Sequence, residues 1–594
     1  MSCAPACFPS TPASCASVGA LCGSLAPNAA NEAQREASTS QDFKGFAKPM
    51  LSARGAKHAA SVTPFWTVFD SMLRDVYCAQ KNPNGIINMG IANNSLMQDE
   101  LLEYFSSHLA LDPTDLTYGT SLHGSIRLFD ALCTHFNRKA FAPVLPVKPD
   151  HILTGPGCGP LLDQLFEHLA APGEACLAAA PYYNGFDADL MTRAGVKCIP
   201  VFAAVGDGTE KENFTGAAAL RGFDEALAEH NAAGSTVRAI LVCNPHNPVG
   251  KCYNRQALVE YGKFAQVHDL HLVFDEIYAM STFPTSDDGA PQPFISALNI
   301  DWATEAGCDP RRIHILTSAS KDFGLNGFRV GTFISQYNAE LMAAMKVTTK
   351  LYMVSSPADA LFSSLLVDQD FYPRFVETNQ ARLSRAYEKV KGWCVRHAIP
   401  YKPSNAGHFL LVDLARFLPR EMGGHELVDE TQRETALWSL VLKERLCITP
   451  GSNYHHPQVG WFRITFSLQD QVLTKGLQRL EKALGLPECA AEDMFESETE
   501  DLKASAPAAA AATTTQSSDK KPSDRLQSPN LAKPDRSALV TALCGPPSAA
   551  TSKSSCPLPL ASQAAAHVVE DYELLRELSL ESQRGATKAL GCMC

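Results

Sequence analysis

Short apolar runs separated by amphipathic stretches dominate the middle of the chain. Residues 239–244 (AILVCN), 271–276 (HLVFDE) and 312–320 (RIHILTSAS) are apolar over most of their length. Runs of this kind suit strands buried on both faces of a parallel sheet. Between the first two, residues 255–270 (RQALVEYGKFAQVHDL) carry apolar positions at helical spacing. The β–α–β alternation predicts an α/β fold, with helices on both faces of a mostly parallel sheet. Ligand sites in such sheets gather at the carboxyl ends of the strands. The polar residues that follow each run are therefore the first candidates for chemistry.

The pattern fades at both ends. Residues 1–62 are rich in Ala, Ser, Pro and Cys without sustained periodicity, so a disordered extension is expected. They lack the long apolar core of a secretory signal and are poor in the arginines of a mitochondrial presequence. Residues 488–594 open on the acidic run EDMFESETEDLK and continue as an Ala/Thr/Ser/Pro tract, which reads as a low-complexity tail. Val568, Tyr572, Leu575 and Leu578 within it have the spacing of one marginal helix. Cys592-Met593-Cys594 resembles a doubly prenylated ending, a signal too short to imply an anchor.

Composition narrows the class. The chain has 594 residues, too many for one compact domain. Its net charge of −12 argues against a nucleic-acid partner, and no run is long and apolar enough to span a bilayer. Eleven of the 19 cysteines are scattered between Cys78 and Cys489 in no metal or disulfide pattern. Buried free thiols in a reducing, cytoplasmic setting are the expectation.

Six segments carry candidate chemistry. In SASKDFGLNGFRVG (318–331), Lys321 follows a buried strand, with Ser318 and Ser320 beside it and Arg329 eight residues on. A desolvated lysine can form an imine with an aldehyde, and two hydroxyls with a guanidinium suit a phosphate dianion. Asp275 ends the strand HLVFD and Tyr278 lies three positions later. A carboxylate there could keep a pyridine nitrogen protonated, and the phenol could serve a ring oxygen. The two Asn-Pro pairs of CNPHNPVG make a rigid turn able to aim Asn247. In ILTGPGCGPLLDQLFEHL, Gly157 and Cys158 sit where a turn becomes a helix whose amides can bind phosphate. Either Tyr182 or Tyr183 of APYYNGF could stack on a flat ring. Arg463 lies inside the alternating strand VGWFRITFS, a costly place for a guanidinium without an anion. A substrate carboxylate would supply one. Taken singly, each segment also has an ordinary structural explanation: a surface lysine, a helix cap, a simple turn, a structural ion pair.

Together, in this order and spacing, the segments resemble the class I/II aminotransferases that depend on pyridoxal 5'-phosphate (PLP), and most closely the 1-aminocyclopropane-1-carboxylate (ACC) synthase-like branch. Further pieces are NPNGIINMGIANN (82–94) and PGSNYHHPQVGWFRITF (450–466), and the resemblance runs from about residue 64 to 485. It implies the type I PLP-transferase fold. A large domain with a mostly parallel sheet would span 146–355 and a smaller α+β domain 356–487, with 63–145 supplying the N-terminal part of the small domain and the lead into the large one. It implies Lys321 as the lysine bonded to the cofactor, with Asp275 on the pyridine nitrogen and Asn247 and Tyr278 on the ring oxygen. Tyr183 would stack on the ring. Ser318, Ser320, Arg329 and the amides of Gly157 and Cys158 would hold the phosphate, and Arg463 the substrate carboxylate. It also implies a homodimer, small amino-acid and 2-oxo-acid substrates, and transamination.

Two departures fall on substrate handling. The branch reads M-G-L-A-E-N where this chain has Met89-Gly90-Ile91-Ala92-Asn93-Asn94, so Asn93 replaces a glutamate. Tyr118, in TYGTSLHG, falls out of register with the branch's tyrosine. Cys158 also stands where a hydroxyl residue is usual. The ACC-forming lyase reaction and a non-catalytic binding role are the competing expectations.

Overall fold

A computed structural model of the chain describes residues 50–60, 72–202, 212–287 and 292–487. The low-complexity tail, with the patch around Tyr572 and the terminal cysteines, lies outside the described residues, as does most of the N-terminal extension. Within that extension Ala53–Ala60 forms a short helix, ARGAKHAA, in keeping with the high helix propensity of alanine.

The central sheet has seven strands: β1 (Ile152–Gly155), β2 (Ala175–Ala180), β3 (Lys197–Phe202), β4 (Val237–Cys243), β5 (His271–Asp275), β6 (Ile313–Ser318) and β7 (Gly331–Ile334). Their order across the sheet is β1-β7-β6-β5-β4-β2-β3. The pairs from β6 to β3 are parallel, while β7 runs antiparallel to both β6 and β1. The three apolar runs become the adjacent strands β4, β5 and β6, and burial is nearly complete along each.

Two boundaries differ from the sequence expectation. The run 312–320 stops being strand at Ser318, because the Ser318 hydroxyl accepts the Ser320 amide at 3.0 Å and caps a four-residue helix, α3 (Ala319–Asp322). Helix α2 (Arg255–Val267), capped by Asn254, ends three residues before 270. Asp269 there takes a left-handed conformation (φ 59°), which turns the chain into β5. Helix α1 (Cys158–Leu169) buries Leu161, Leu162, Leu165, Phe166 and Leu169, the stripe expected of a helix lying on a sheet.

A second sheet is antiparallel throughout. It comprises β8 (Tyr401–Lys402), β9 (Phe409–Asp413), β10 (Thr449–Pro450) and β11 (Trp461–Thr465), in the order β10-β11-β9-β8. The long helix α4 (Phe371–Arg396) packs Leu383, Tyr387, Val390 and Trp393 into the same apolar cluster as this sheet. Ile87 and Met89 join that cluster. Ile87–Asn88 pairs in parallel with Leu446–Cys447, and Met89 O accepts the Thr465 amide at 2.8 Å. These bonds lay residues 87–94 beside β11.

Ten cysteines lie among the described residues, all free and six of them buried. No helix among those residues is long and apolar enough to cross a membrane.

Candidate active site

Lys321 sits on α3, just past the carboxyl end of β6, and is partly buried. Its Nζ donates to Ala92 O at 2.7 Å. With the Asn326 amide oriented so that both of its ends are satisfied, that side chain accepts from Nζ at 3.2 Å and donates to Ser320 O at 2.7 Å. Burial, reinforced by the charges of Arg463 and Arg329, pulls the amine down to about 8. Asp275 and Cys158 act on it in the opposite direction. A large share of this lysine is therefore neutral, and so nucleophilic, in mildly alkaline solution.

Asp275 is the last residue of β5 and is buried. Burial pushes its carboxyl up to about 7, against the Ile277 amide, which donates to Oδ1 at 3.2 Å. A cation next to it would return it to the carboxylate. Asp189, held near 6 mainly by burial, adds a second acidic group that acts on Asp275. The sequence offered no sign of Asp189 beyond its place in a short helix, Gly185–Met191.

The anion-binding features converge on one end of the site. Gly157 precedes α1 at φ 106°, and a Cβ built there would lie 2.4 Å from Arg329 Nη2. Only glycine leaves room for the guanidinium to lie against that turn. Arg329, itself left-handed at φ 56°, donates to Asn326 O at 2.9 Å and to Pro156 O at 2.6 Å. Ser318 and Ser320 hydroxyls are 2.8 Å apart. The Cys158 thiol is pushed up by burial and by Asp275, so it stays protonated and is at most a weak donor. Two hydroxyls, a guanidinium and the first amides of α1 are a donor set that fits a phosphate dianion.

Arg463, in the middle of β11, is 4 % exposed. One nitrogen donates to Asn247 Oδ1 at 2.7 Å and another to Gly90 O. The guanidinium carbon lies 4.7 Å from the ring centres of both Phe409 and Tyr454. Its Nε has no hydrogen-bond partner among the described residues. A buried donor left unpaired costs about 1–3 kcal/mol, and more when it is charged. An incoming carboxylate would relieve that cost.

The two tyrosines of APYYNGF are not equivalent. Tyr182 is buried in the core and donates to Asp187 Oδ1 at 2.7 Å. Tyr183 is 38 % exposed, stands edge-on to Phe186, and shares the electrostatic neighbourhood of Asp275 and Arg463. Tyr278 is buried, its hydroxyl held protonated by burial, with Arg463, Tyr183 and Asp275 around it. The structure thus gathers Gly157, Cys158, Tyr183, Asn247, Asp275, Tyr278, Ser318, Ser320, Lys321, Arg329 and Arg463 around one site. Tyr118 instead lies on the surface, 78 % exposed, in a groove with Arg127 and Asp359. Asn93 is exposed, within 3.2 Å of Asn326. The backbone carbonyls of Gly90 and Ala92 were not foreseen.

A seven-stranded, mostly parallel sheet with a lysine and an aspartate at its carboxyl edge defines the type I fold of PLP-dependent transferases. The family model for aminotransferase class I and II matches residues 84–480. The chain belongs to this family of PLP-dependent enzymes, within its ACC synthase-like branch.

It is 31% identical to the probable aminotransferase sirI of Leptosphaeria maculans, over 73% of this chain and 98% of that protein. It is 33% identical to 1-aminocyclopropane-1-carboxylate synthase 5 of Oryza sativa subsp. japonica, over 72% of this chain and 78% of that one. Among solved structures, an aspartate aminotransferase of Thermus thermophilus superposes with a TM-score of 0.53 at 18% identity, over 73% of this chain and 100% of its own. That last likeness bears on the fold alone.

Proposed function

We propose that the protein is a PLP-dependent aminotransferase that moves an amino group from an α-amino acid to a 2-oxo acid. The observation that carries this reading is Lys321: a partly buried amine, drawn down to about 8, ringed by Asp275, Arg329 and Arg463. When bound, pyridoxal phosphate supplies an aldehyde for that amine and a protonated ring that stores electrons.

The remaining work belongs to the chain. Ser318, Ser320, Arg329 and the amides of Gly157 and Cys158 hold a phosphate. Asp275, ionised beside a positive ring nitrogen, keeps that nitrogen protonated, and Asn247 and Tyr278 bind the ring oxygen while Tyr183 covers one face. Arg463 offers its fork to the substrate carboxylate, which fixes the Cα–H bond relative to Lys321. Lys321 Nζ, neutral once displaced by the substrate amine, takes the Cα proton and returns it one position away. Burial that lowers its proton affinity suits it to both halves of that transfer.

Residues 146–355 would form the large domain and 356–487 the small one, with 63–145 supplying the N-terminal part of the small domain and the lead into the large one. Leu109, Leu116, Tyr118, Ile126, Val347 and Leu351 are exposed apolar side chains. They favour a second copy of this chain as partner, in a cytoplasmic homodimer.

The relatives named ACC synthases favour a second reading, elimination from S-adenosylmethionine with ring closure. Asn93 in place of the branch's glutamate weighs against it. The test is to incubate pure protein with an amino-acid panel plus 2-oxo acids, and separately with S-adenosylmethionine. New keto acid with matched amino-group gain supports transfer, whereas ACC release without keto acid selects the lyase. A protein that binds pyridoxal phosphate yet turns over none of these would be a binding protein instead.

A further inference from the structure

Two stretches of backbone meet beside Lys321. The first is residues 92–94. Ser467, just past β11, donates its hydroxyl to Asn93 O at 2.7 Å, and Asn94 Nδ2 donates to Asn379 Oδ1 of α4 at 2.8 Å. The second is the loop between α3 and β7. Gly324 of that loop lies against Asn94 at φ 65°, and a Cβ there would fall 2.7 Å from Asn94 O. This close approach brings the side chains of Asn93 and Asn326 within 3.2 Å of each other.

Asn326 is half-buried and opens a single 3-10 turn, Asn326–Phe328. That turn does not call for an asparagine. Its cap position is Leu325, and Arg329 Nη1 donates to the Asn326 backbone carbonyl, which any residue would offer. The side chain has partners of its own. Ser320 O stands 2.7 Å from one end of the amide and can only accept, so the amide nitrogen belongs there. The amide oxygen then faces Lys321 Nζ and Asn93, each at 3.2 Å. An oxygen can accept from both, so the end of the Asn93 amide turned to it is the nitrogen.

Lys321 Nζ therefore has two acceptors, Ala92 O at 2.7 Å and Asn326 Oδ1. A neutral primary amine has two N–H bonds and one lone pair. Two acceptors engage both N–H bonds and leave the lone pair a single direction.

We propose that Asn326 is a positioning residue: seated by Ser320 and Asn93, it joins the Ala92 carbonyl in holding both N–H bonds of the neutral Lys321 amine and so aims its lone pair. The inference rests on Lys321 being the cofactor lysine. It also gives Asn93 a task. A glutamate at that position, as in the branch this chain resembles, has no proton to offer Asn326 Oδ1 when ionised and would set acceptor against acceptor.

The same contact favours the ammonium, because a charged donor gains more from an acceptor than a neutral one does. Loss of the Asn326 oxygen therefore lowers the affinity of Nζ for its proton. The titratable and charged groups that act on Nζ stay in place: Arg463 on β11, Arg329, Cys158 on α1, Asp275 on β5 and His408 before β9. A general loosening of the loop acts the other way, because water reaching the amine returns it toward its ordinary, higher value.

The experiment follows capture of pyridoxal phosphate by full-length protein freed of cofactor, read as the growth of visible absorbance against pH. Only the neutral amine reacts, through its lone pair, so the profile yields a midpoint and a plateau rate. Asn326→Leu keeps the volume and removes the oxygen. Its midpoint should fall by about half a unit or more, and its plateau rate about threefold or more. Asn326→Asp keeps an oxygen toward Nζ and adds charge, so its midpoint should stand at or above the parent's. Asn93→Ala, at an exposed position, should move the midpoint the same way as Asn326→Leu but less, and add nothing to it in the double variant.

A midpoint for Asn326→Leu that rises, or falls by less than about a tenth of a unit, would overturn the proposal while leaving the cofactor lysine intact. An unchanged plateau would do the same, since the lone pair would then need no aiming, as would a midpoint for Asn326→Asp below the parent's. If Asn326→Leu fails to fold, Asn93→Ala decides by the same rule. If borohydride fixes pyridoxal phosphate on the parent protein at a residue other than Lys321, the functional reading falls and this inference with it.

Discussion

The two ends of the site are built in different ways. The anion-binding end comes from turns at the edge of the central sheet: Gly157 and Cys158 after β1, and Ser318, Ser320 and Arg329 between β6 and β7. Most are fixed by their own turn, and Arg329 ties the two turns together through Pro156 O. The carboxylate-binding end is assembled from distant places. Arg463 comes from the second sheet, Asn247 from the turn after β4, and the carbonyls of Gly90 and Ala92 from a segment more than 300 residues earlier. The first end is suited to one unvarying ligand. The second depends on how the 87–94 segment lies on β11, and of the two substrate-handling departures Asn93 belongs to that segment, while Tyr118 lies on the surface elsewhere. On the proposed function, cofactor binding would draw on the turns at the carboxyl edge of the central sheet, and substrate choice on contacts between that sheet, β11 and the 87–94 segment.

That contrast can be attacked in order of expected effect. Lys321→Ala should lower turnover roughly a thousandfold or more and abolish borohydride labelling. Near-normal turnover on every substrate would refute the whole site. Arg463→Lys keeps the charge but loses the fork, and should raise KM for the amino acid about 10- to 100-fold with little change in cofactor affinity. A matched loss of cofactor would show that the two ends are not independent.

Capture of pyridoxal phosphate should slow about tenfold per unit as pH falls below the Lys321 midpoint near 8, and level off above it. The sign follows because the neutral amine reacts and burial lowers its affinity for a proton. Stability carries the same sign: burying Lys321 costs progressively more as pH falls from its ordinary value toward 8, and the cost is constant below that. A profile that keeps rising to pH 10 would mean that the amine is not desolvated. Cys158→Ser, the mildest change, restores a hydroxyl at the phosphate turn and should tighten cofactor binding about two- to tenfold, read by equilibrium dialysis. KM for the amino acid should stay put.

The same division marks what could be read without coordinates. Lys321 and Asp275 stand just past or at the end of apolar runs that suit buried strands, but their roles became legible only when all the segments were read together as resembling one family. Arg463 was legible because a guanidinium amid alternating apolar residues demands a partner. The residues alone left Tyr182 and Tyr183 open and the resemblance chose Tyr183; the structure adds that Tyr182 is buried and donates to Asp187. The antiparallel insertion of β7 has no signature, since the four residues Gly331–Ile334 (GTFI) suit either direction. Gly90 and Ala92 contribute carbonyl oxygens, which every residue owns, so nothing in their side chains could announce them.

One feature of β7 reaches beyond the catalytic groups. Ser318 and Gly331 face each other across the β6–β7 pair, so the ladder that begins there cinches the loop bearing Lys321 and Arg329 at its neck. A Cβ on Gly331 would fall 2.5 Å from the carbonyl carbon of Gly157. Adding one methyl there would act as a wedge, prying the first turn of α1 away from the loop that faces it. The pocket's tolerance at that seam is thinner than a single carbon atom, which makes it the place where a small change far from any reacting bond would open the cradle.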